Sequence, residues 1–589
     1  MLTMASRTGA VHVARIRSSH VDKAGQRHQY ESVYLRRSYR QDGKVKHEQV
    51  ANLSALPAAA ITALEAILAG TELVPAGQPG AMQITRTLPH GGAAAVWAQA
   101  KTLGFPALLG PPGRSRDLAL ALVISRVLAP ATKLATLGGW SDTTLGGDLG
   151  VVGASTDEVY AAMDWLLGRQ DSIEAKLAAR HLRTQTAPRM ALFDLSSSWM
   201  TGTHCPLAAR GYSRDGKKGL PQIEYGLLTD PEGRPVAVRV FPGNTADPTA
   251  FISAVELVRT TFRLTDMVLV GDRGMITSAR IDALKKVPGL GWLTCLRAPA
   301  IAALAADQGP LQMSLFDTHN LAEITHPDYP GERLIACHNP VLAAERARKR
   351  DALLTATETV LAPVTAAVAA GRLAGADAIG IRVGKIIGRY KMAKHFDIAI
   401  TDTTLTITRR QAQIDAEAGL DGIYVIRTSL PAGTLDPAAI VHAYKDLCHV
   451  ERDFRNMKAT DLDMRPIHHR LEDRVRAHVL LVTLAAYLVW HLRRAWAPLT
   501  YTDPEPPPRT DPVAPARRSE KADRKASRHR DENEQPVYTF RGLLTHLATL
   551  TRNHIQLPTG HHLDQLTTPT PTQRRAFELI GTPIPLTIG

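Results

Sequence analysis

The spacing of apolar residues divides the chain into stretches of different period. Residues 29–40 and 44–53 flank Asp42–Gly43, which predicts a β-hairpin, and 1–55 reads as a small basic β-hairpin module. From 56 to 187 the period becomes helical. Ile61, Leu64 and Leu68 mark one helix, Ser115 caps a second that Pro130 ends, and Val159, Met163 and Leu167 mark a third. At Pro188 the texture turns to strands. Short apolar runs at 190–195, 222–228, 236–241, 267–270 and 291–296, with helical stretches at 248–263 and 277–286, predict a mixed α/β core over 188–299. Residues 300–436 interrupt that texture and read as an inserted α/β subdomain; 437–500 return to it with two helices. Residues 501–536, rich in Pro, Arg, Lys and Glu, predict a disordered linker, and 537–589 a small helical unit.

The stretch 444–458 carries two rows at helical spacing. Leu447, Val450, Phe454 and Met457 form an apolar stripe, and Tyr444, Cys448, Glu451, Arg455 and Lys458 form a second row beside it. One acid thus shares a face with two cations and a tyrosine. Taken alone, that pattern is more often a salt-bridged surface helix.

Charge narrows the class of partner. Lys and Arg number 70 against 56 Asp and Glu, a formal net charge of +14, which favours a polyanion, nucleic acid before membrane. Arg36, Arg37, Arg40, Lys44 and Lys46 crowd the N-terminal hairpin, either as a DNA-contacting surface or as the commoner solvated strand face. The helices of 56–187 are expected to bind DNA, although none shows a helix-turn-helix signature. The 4 cysteines are far apart and form no CxxC pair, so neither a zinc ribbon nor a disulfide framework is indicated, and a reducing cytoplasm is expected. The N-terminus has no apolar signal core, and the apolar run 479–490 is too short to span a bilayer; it reads as a buried helix.

Two further acids change the reading of the 444–458 helix. Asp194 and Asp272 each follow an apolar strand, where an isolated carboxylate costs several kcal/mol unless paired, protonated or bound to metal. If the two strands are neighbours, both carboxylates reach one sheet edge, and Glu451 on a helix packed there supplies a third. Three oxygen ligands without His or Cys favour Mg²⁺ or Mn²⁺. A pair of such ions activates a water or 3′-hydroxyl and stabilises the leaving oxygen in phosphodiester displacement.

With these residues in view, the chain resembles a DDE transposase of a bacterial insertion sequence. The class in question carries a Tyr–x2–Arg–x3–Glu–x6–Lys signature and an RNase H-like catalytic domain. Tyr444, Glu451 and Lys458 fall at matching intervals, and Asp194 in FDLSSSW and Asp272 in VLVGDRGM resemble the two aspartates. FPGNTADPT, with Asn244 and Asp247, and the stretch 211–228 resemble other recurrent family segments. The signature arginine is replaced by Leu447, so its phosphate contact would pass to Arg455, Arg452 or Lys445. The resemblance implies an RNase H-like mixed sheet flanked by helices, with an insertion ahead of the glutamate helix. It implies two divalent ions held by Asp194, Asp272 and Glu451, and phosphate contacts from Tyr444, Arg455, Lys458 and Arg273. It further implies double-stranded DNA as partner, both the terminal inverted repeats and a target, handled by a homodimer in the bacterial cytoplasm at the nucleoid. Two alternatives stay open: a nuclease of the same fold without strand transfer, and a catalytically inactive DNA-binding descendant.

Overall fold

The computed structural model describes residues 9–588 except 22, 24–26, 42–43, 72–81, 203, 307–308 and 558–559, so the Asp42–Gly43 turn lies outside the described residues. The chain divides into two units, Met1–Thr87 with Arg552–Leu566, and Leu88–Thr551 with Thr567–Gly589.

The first unit opens with three antiparallel strands, β1 (Ala10–Val21), β2 (Arg27–Gln41) and β3 (Lys44–Asn52), in that spatial order. Only one face has an apolar lining. There Val33 and Leu53 meet Ile61 of the helix Ala58–Leu68, with Val13, Leu35, Ala51 and Leu64 packed around them. The period-two alternation of a half-solvated sheet accounts for the modest apolar signal of these strands. A further strand, β4 (Gln83–Pro89), pairs with elements from the far end of the chain.

The second unit is built on one eight-stranded sheet. Its first strands are β5 (Met190–Trp199), β6 (Gln222–Thr229), β7 (Pro235–Pro242), β8 (Met267–Gly271) and β9 (Leu290–Cys295). They are joined by β10 (Leu321–Ile324), β11 (Arg333–His338) and, beyond the hairpin β12 (Phe396–Ile400)–β13 (Leu405–Arg409), by β14 (Ile423–Thr428). The order is β10-β11-β14-β9-β8-β5-β6-β7. β5, β6 and β7 form an antiparallel meander, while β8 and β9 run parallel to β5. This is the mixed sheet expected of an RNase H-like core. β6 and β8 are buried along their whole length, as strands covered on both faces are. At one crossing, Phe193 lies so close over Gly226 that a Cβ there would come within 2.4 Å of its ring, so glycine is needed.

Four expectations require correction. The interruption at 300–436 is not wholly separate, because β10, β11 and β14 extend the core sheet beyond β9. Only the helices Pro340–Ala369, Ala376–Tyr390 and Gln411–Ala418 with the β12–β13 hairpin form their own apolar clusters, centred on Leu361, Ile379 and Val383, and on Leu354 and Phe396. The helices beyond Leu88 are not a unit separate from the core. The helices Arg114–Leu128 and Thr156–Leu167 pack on Glu472–Ala495, and every residue from Leu118 to Val127 is buried. Glu472–Ala495 and Pro340–Ala369 are both long and apolar enough to cross a membrane, yet 83% of the former's apolar window is buried inside the protein.

The third correction concerns 501–536, which is ordered. Lys445 donates from Nζ to the carbonyls of Pro512, Val513 and Ala514, Asn320 donates to Asp511 at 2.8 Å, and Val513 is fully buried. A short helix, Glu520–Arg528, capped by Ser519, follows, and its Lys525 donates to the Ala497 carbonyl. Fourth, the C-terminal stretch is not purely helical. β15 (Thr551–Gln556) and β16 (His562–Leu566) form a hairpin whose sheet includes β4.

Candidate active site

The pairing of β5 with β8 decides where the first two acids lie. Their parallel register runs from Met190↔Val268 to Phe193↔Gly271, so Asp194 and Asp272 are the next residues on adjacent strands. Neighbouring strands are about 4.8 Å apart, which brings both acids to one position on the sheet. The apolar runs MALF and MVLVG supply the pairing, and each acid follows where its run stops.

The third acid arrives on a helix packed across β5. Residues 444–458 do not form one uninterrupted helix. Pro437–Lys445 ends at Asp446, Leu447–Arg455 follows, and Asn456–Thr460 closes with a π turn. Val450, Phe454 and Met457 are buried as their spacing predicts, with Phe454 edge-on to Tyr225 of β6 at 5.6 Å between ring centroids. Leu447 is only half-buried and Asp453, unremarked in the sequence, is buried. Glu451, on the row beside them, is exposed.

Asp194, Asp272 and Glu451 all line one cavity of about 740 Å³. Burial pushes the Asp194 carboxyl up to about 7; the Leu195 N–H, which donates to it at 2.8 Å, and Arg214 pull the other way, while Asp272 and Glu451 add to the rise. Burial is the main cause, and the two other acids of the cleft add to it. Hard oxygen donors short of positive charge fit a divalent cation. No three His, Cys, Asp or Glu side chains among the described residues converge closely enough to form a ready-made ligand set. The trio shares a cavity rather than a point.

Of the cationic and aromatic candidates, the structure brings only two to the cavity. Arg455 lines it and is exposed. Lys458 lines it too, but its side chain is 10% exposed and its Nζ donates to Asp215 at 2.8 Å, so it is committed within the protein. Tyr444 is half-buried and hydrogen-bonds with Cys295 of β9; burial, reinforced by Cys295, raises its hydroxyl pKa strongly. Arg273 is exposed beside Asp272, its carbonyl accepting from Arg297, and is not among the lining residues. Neither Tyr444 nor Arg273 lines the cavity, although Tyr444 lies within electrostatic reach of Asp272 and Arg273. The two other substitutes for the missing signature arginine are also placed elsewhere: Lys445 holds the 512–514 carbonyls, and Arg452 stands by Cys448.

The sequence reading passed over a second set of residues in the cavity. Arg214 donates to Asp247 at 2.6 Å and lies 3.4 Å from Glu224 of β6. Burial raises the Glu224 carboxyl to about 7, with Arg214 opposing the rise. Asp215, 1% exposed, accepts from Arg465 at 2.5 Å and from the Trp199 N–H as well as from Lys458. Asp247 and Asp272 flank Gly274, whose Cβ position is 3.4 Å and 3.6 Å from one oxygen of each. The only sequence signal for these residues was their location in the recurrent segments around Gly211 and Asn244.

Two family models match the chain. Residues 196–488 match the transposase DDE domain, a span that begins just after Asp194 and contains Asp272 and Glu451. The chain belongs to the DDE transposases. Residues 20–76 match the N-terminal domain of IS1634 family transposases, so the protein is an insertion-sequence transposase. No curated protein matches the chain.

Proposed function

We propose that this transposase cuts DNA at the ends of its own element and joins them to a target, with Asp194, Asp272 and Glu451 as the metal-holding residues. The observation that carries this reading is the β5–β8 register, which makes Asp194 and Asp272 lateral neighbours beneath the Glu451 helix. Divalent cations at that place, Mg²⁺ or Mn²⁺ and two in number, would supply an activated water or 3′-hydroxyl and charge stabilisation at the leaving oxygen.

The chain's own residues do the rest. The three carboxylates define where positive charge can lodge, and Asp194 must give up its proton before it can serve as a ligand. Arg455, exposed and facing the cavity, takes the phosphate contact that Leu447 cannot make. Lys458 and Arg465 clamp Asp215 and so fix the stretch following β5 against the glutamate helix, a positioning role. Two ends must be handled together, which calls for a dimer on DNA in the bacterial cytoplasm.

A strand-transfer assay tests the reading. With Mg²⁺ and a duplex carrying an element end, cleaved ends joined to a target plasmid are expected. Cleavage without joined product would favour the nuclease alternative, and neither product would favour the inactive descendant.

A further inference from the structure

The strand register sorts the charges of the N-terminal sheet between its two faces. Residues paired across antiparallel strands point to the same side. The face toward the helix Ala58–Leu68 carries Val13, Val33 and Leu35, together with all the acids of the described strand residues. There Glu31 stands 3.7 Å from Arg15 and 3.4 Å from Arg17, and Glu48 stands 3.7 Å from Arg37, while Glu65 of the helix takes Arg15 at 3.1 Å. Arg27 and Lys46 of the same face hydrogen-bond to Ser19 and Gln41 instead, so acids answer part of its positive charge and not all of it.

The other face is different. The register His12↔Arg36↔Gln49 runs straight across all three strands at its centre, followed by Ser38↔His47 and Arg40↔Val45, with Tyr34↔Asn52 on the other side. His12, Arg40, His47 and Gln49 are exposed, and Arg36 and Tyr34 are half-buried. No acid lies on this face among the described residues, and neither Arg36 nor Arg40 forms an ion pair with any described residue. His47 accepts or donates in a 2.8 Å hydrogen bond with Ser38 and lies edge-on to His12, which orders the side chains of this surface.

We infer that this face, centred on Arg36, Gln49 and His12, lies in the major groove of double-stranded DNA and reads base edges there. The reading rests on the proposed action at DNA ends and says which surface finds them. A major groove about 12 Å wide admits a two-stranded ribbon, and β2 and β3, about 4.8 Å apart, are the two strands that carry Arg36 and Gln49. Arginine presents a fork to guanine O6 and N7, and glutamine does the same for adenine N6 and N7; the two stand side by side across β2 and β3. Arg40, further along the same face and exposed, suits a backbone phosphate at the groove edge. A membrane surface would attract the same cations but has no use for glutamine, histidine and asparagine in register with them.

The test uses the full-length protein and a pool of short random-sequence duplexes, selected by binding and sequenced. The wild type is expected to enrich one motif. The double variant Arg36→Ala, Gln49→Ala should lose preference for that motif over a scrambled duplex by about 5- to 150-fold for each of the two lost contacts, at neighbouring base pairs only. Arg36→Lys, which keeps the charge and loses the fork, should relax specificity while retaining affinity, and it guards against a fold defect in the double variant. An unchanged motif and ratio in both variants would overturn the proposal, as would a wild type that enriches no motif. Mg²⁺-dependent nicking of a supercoiled plasmid, measured beside it for the wild type and Glu451→Gln, separates the two readings. Nicking that depends on Glu451 while the sheet variants read DNA normally sinks only the sheet. Absence of such nicking sinks the catalytic reading on which the sheet proposal stands.

Discussion

The acidic cleft and the outer face of the N-terminal sheet carry charge of opposite sign without full answer from neighbouring side chains. In the cleft, three carboxylates share a cavity and burial holds the Asp194 proton up to about pH 7. On the sheet, Arg36 and Arg40 stand on a face without a single described acid, though the same strands pair Arg15, Arg17 and Arg37 on the reverse. Proteins pair most of their buried charge, so a region left one-sided marks where a partner of the other sign completes it. The difference between the two regions lies in convergence. Buried Asp194 and exposed Asp272 and Glu451 line one small cavity and suit a compact ion, whereas the sheet's cations are spread along a surface and suit a polyanion.

The largest effect should come from removing charge in the cleft. Glu451→Gln keeps the shape of an exposed helix residue and deletes one carboxylate, so DNA cleavage should fall on the order of 10³-fold or more, as loss of several kcal/mol of metal-based stabilisation implies. End binding, measured by mobility shift, should persist. Cleavage within tenfold of wild type would break the comparison at its stronger side.

Next is a charge in the cleft that is already satisfied. Asp215→Ala leaves buried Lys458 without its partner and Arg465 and the Trp199 N–H without an acceptor. Breaking a buried pair by removing one member costs about 3–5 kcal/mol, so thermal unfolding should occur at markedly lower temperature. Arg455→Ala, which removes an exposed cation, should leave stability within about 0.5 kcal/mol and lower cleavage instead. Equal stability losses in the two would mean that the Lys458–Asp215–Arg465 cluster does not hold the wall of the site.

Asp194 and Asp272 were legible because each interrupts an apolar run, although β5 continues past Asp194 to Trp199 and only β8 stops short of its acid. The strands and the β6–β7 hairpin followed from their periods and turn, while the pairing of β5 with β6 and the parallel direction of β8 and β9 came only with the fold. Residues whose importance depends on distant partners were not legible. Asp215 reads as one acid in SRDGKK, and only folding brings it Lys458 and Arg465. The linker expectation for 501–536 failed for a related reason. Composition sets the average tendency, yet one buried valine at 513 and three carbonyls held by Lys445 suffice to order the segment. The break at Asp446 escaped because both half-helices keep a common apolar phase across it. Tyr444 was placed by interval alone, and the fold sends it to Cys295.

A smaller effect follows from the Asp194 proton. Its folded pKa, about 7, lies above the carboxyl's ordinary 3.8, so the fold favours the protonated form. The penalty for the charged form is absent below the unfolded value and grows as pH rises to about 7, by about 1.4 kcal/mol per pH unit. A divalent cation binds the deprotonated site and removes that penalty. Mg²⁺ should therefore raise the unfolding temperature of the wild type clearly at pH 8 and little at pH 5, and Asp194→Asn should abolish the difference. The same Mg²⁺ response at both pH values would show that Asp194 does not gate the cation.

The smallest expected change separates a cation that is free to meet phosphate from one that is not. Each lysine or arginine that neutralises a DNA phosphate releases condensed counterion, adding about 0.9 to the slope of log affinity against log salt. Arg40, exposed and outside any ion pair with a described residue, should count in that slope, and Arg40→Ala should lower it by about one unit across specific and scrambled duplexes alike. Lys458 carries the same formal charge but spends it on Asp215, so no counterion waits on its release, and Lys458→Gln should leave the slope unchanged. Titrations over a range of KCl concentrations distinguish the two. A slope that responds to Lys458 and ignores Arg40 would invert the assignment, making the cleft the principal phosphate surface and the sheet a solvated face.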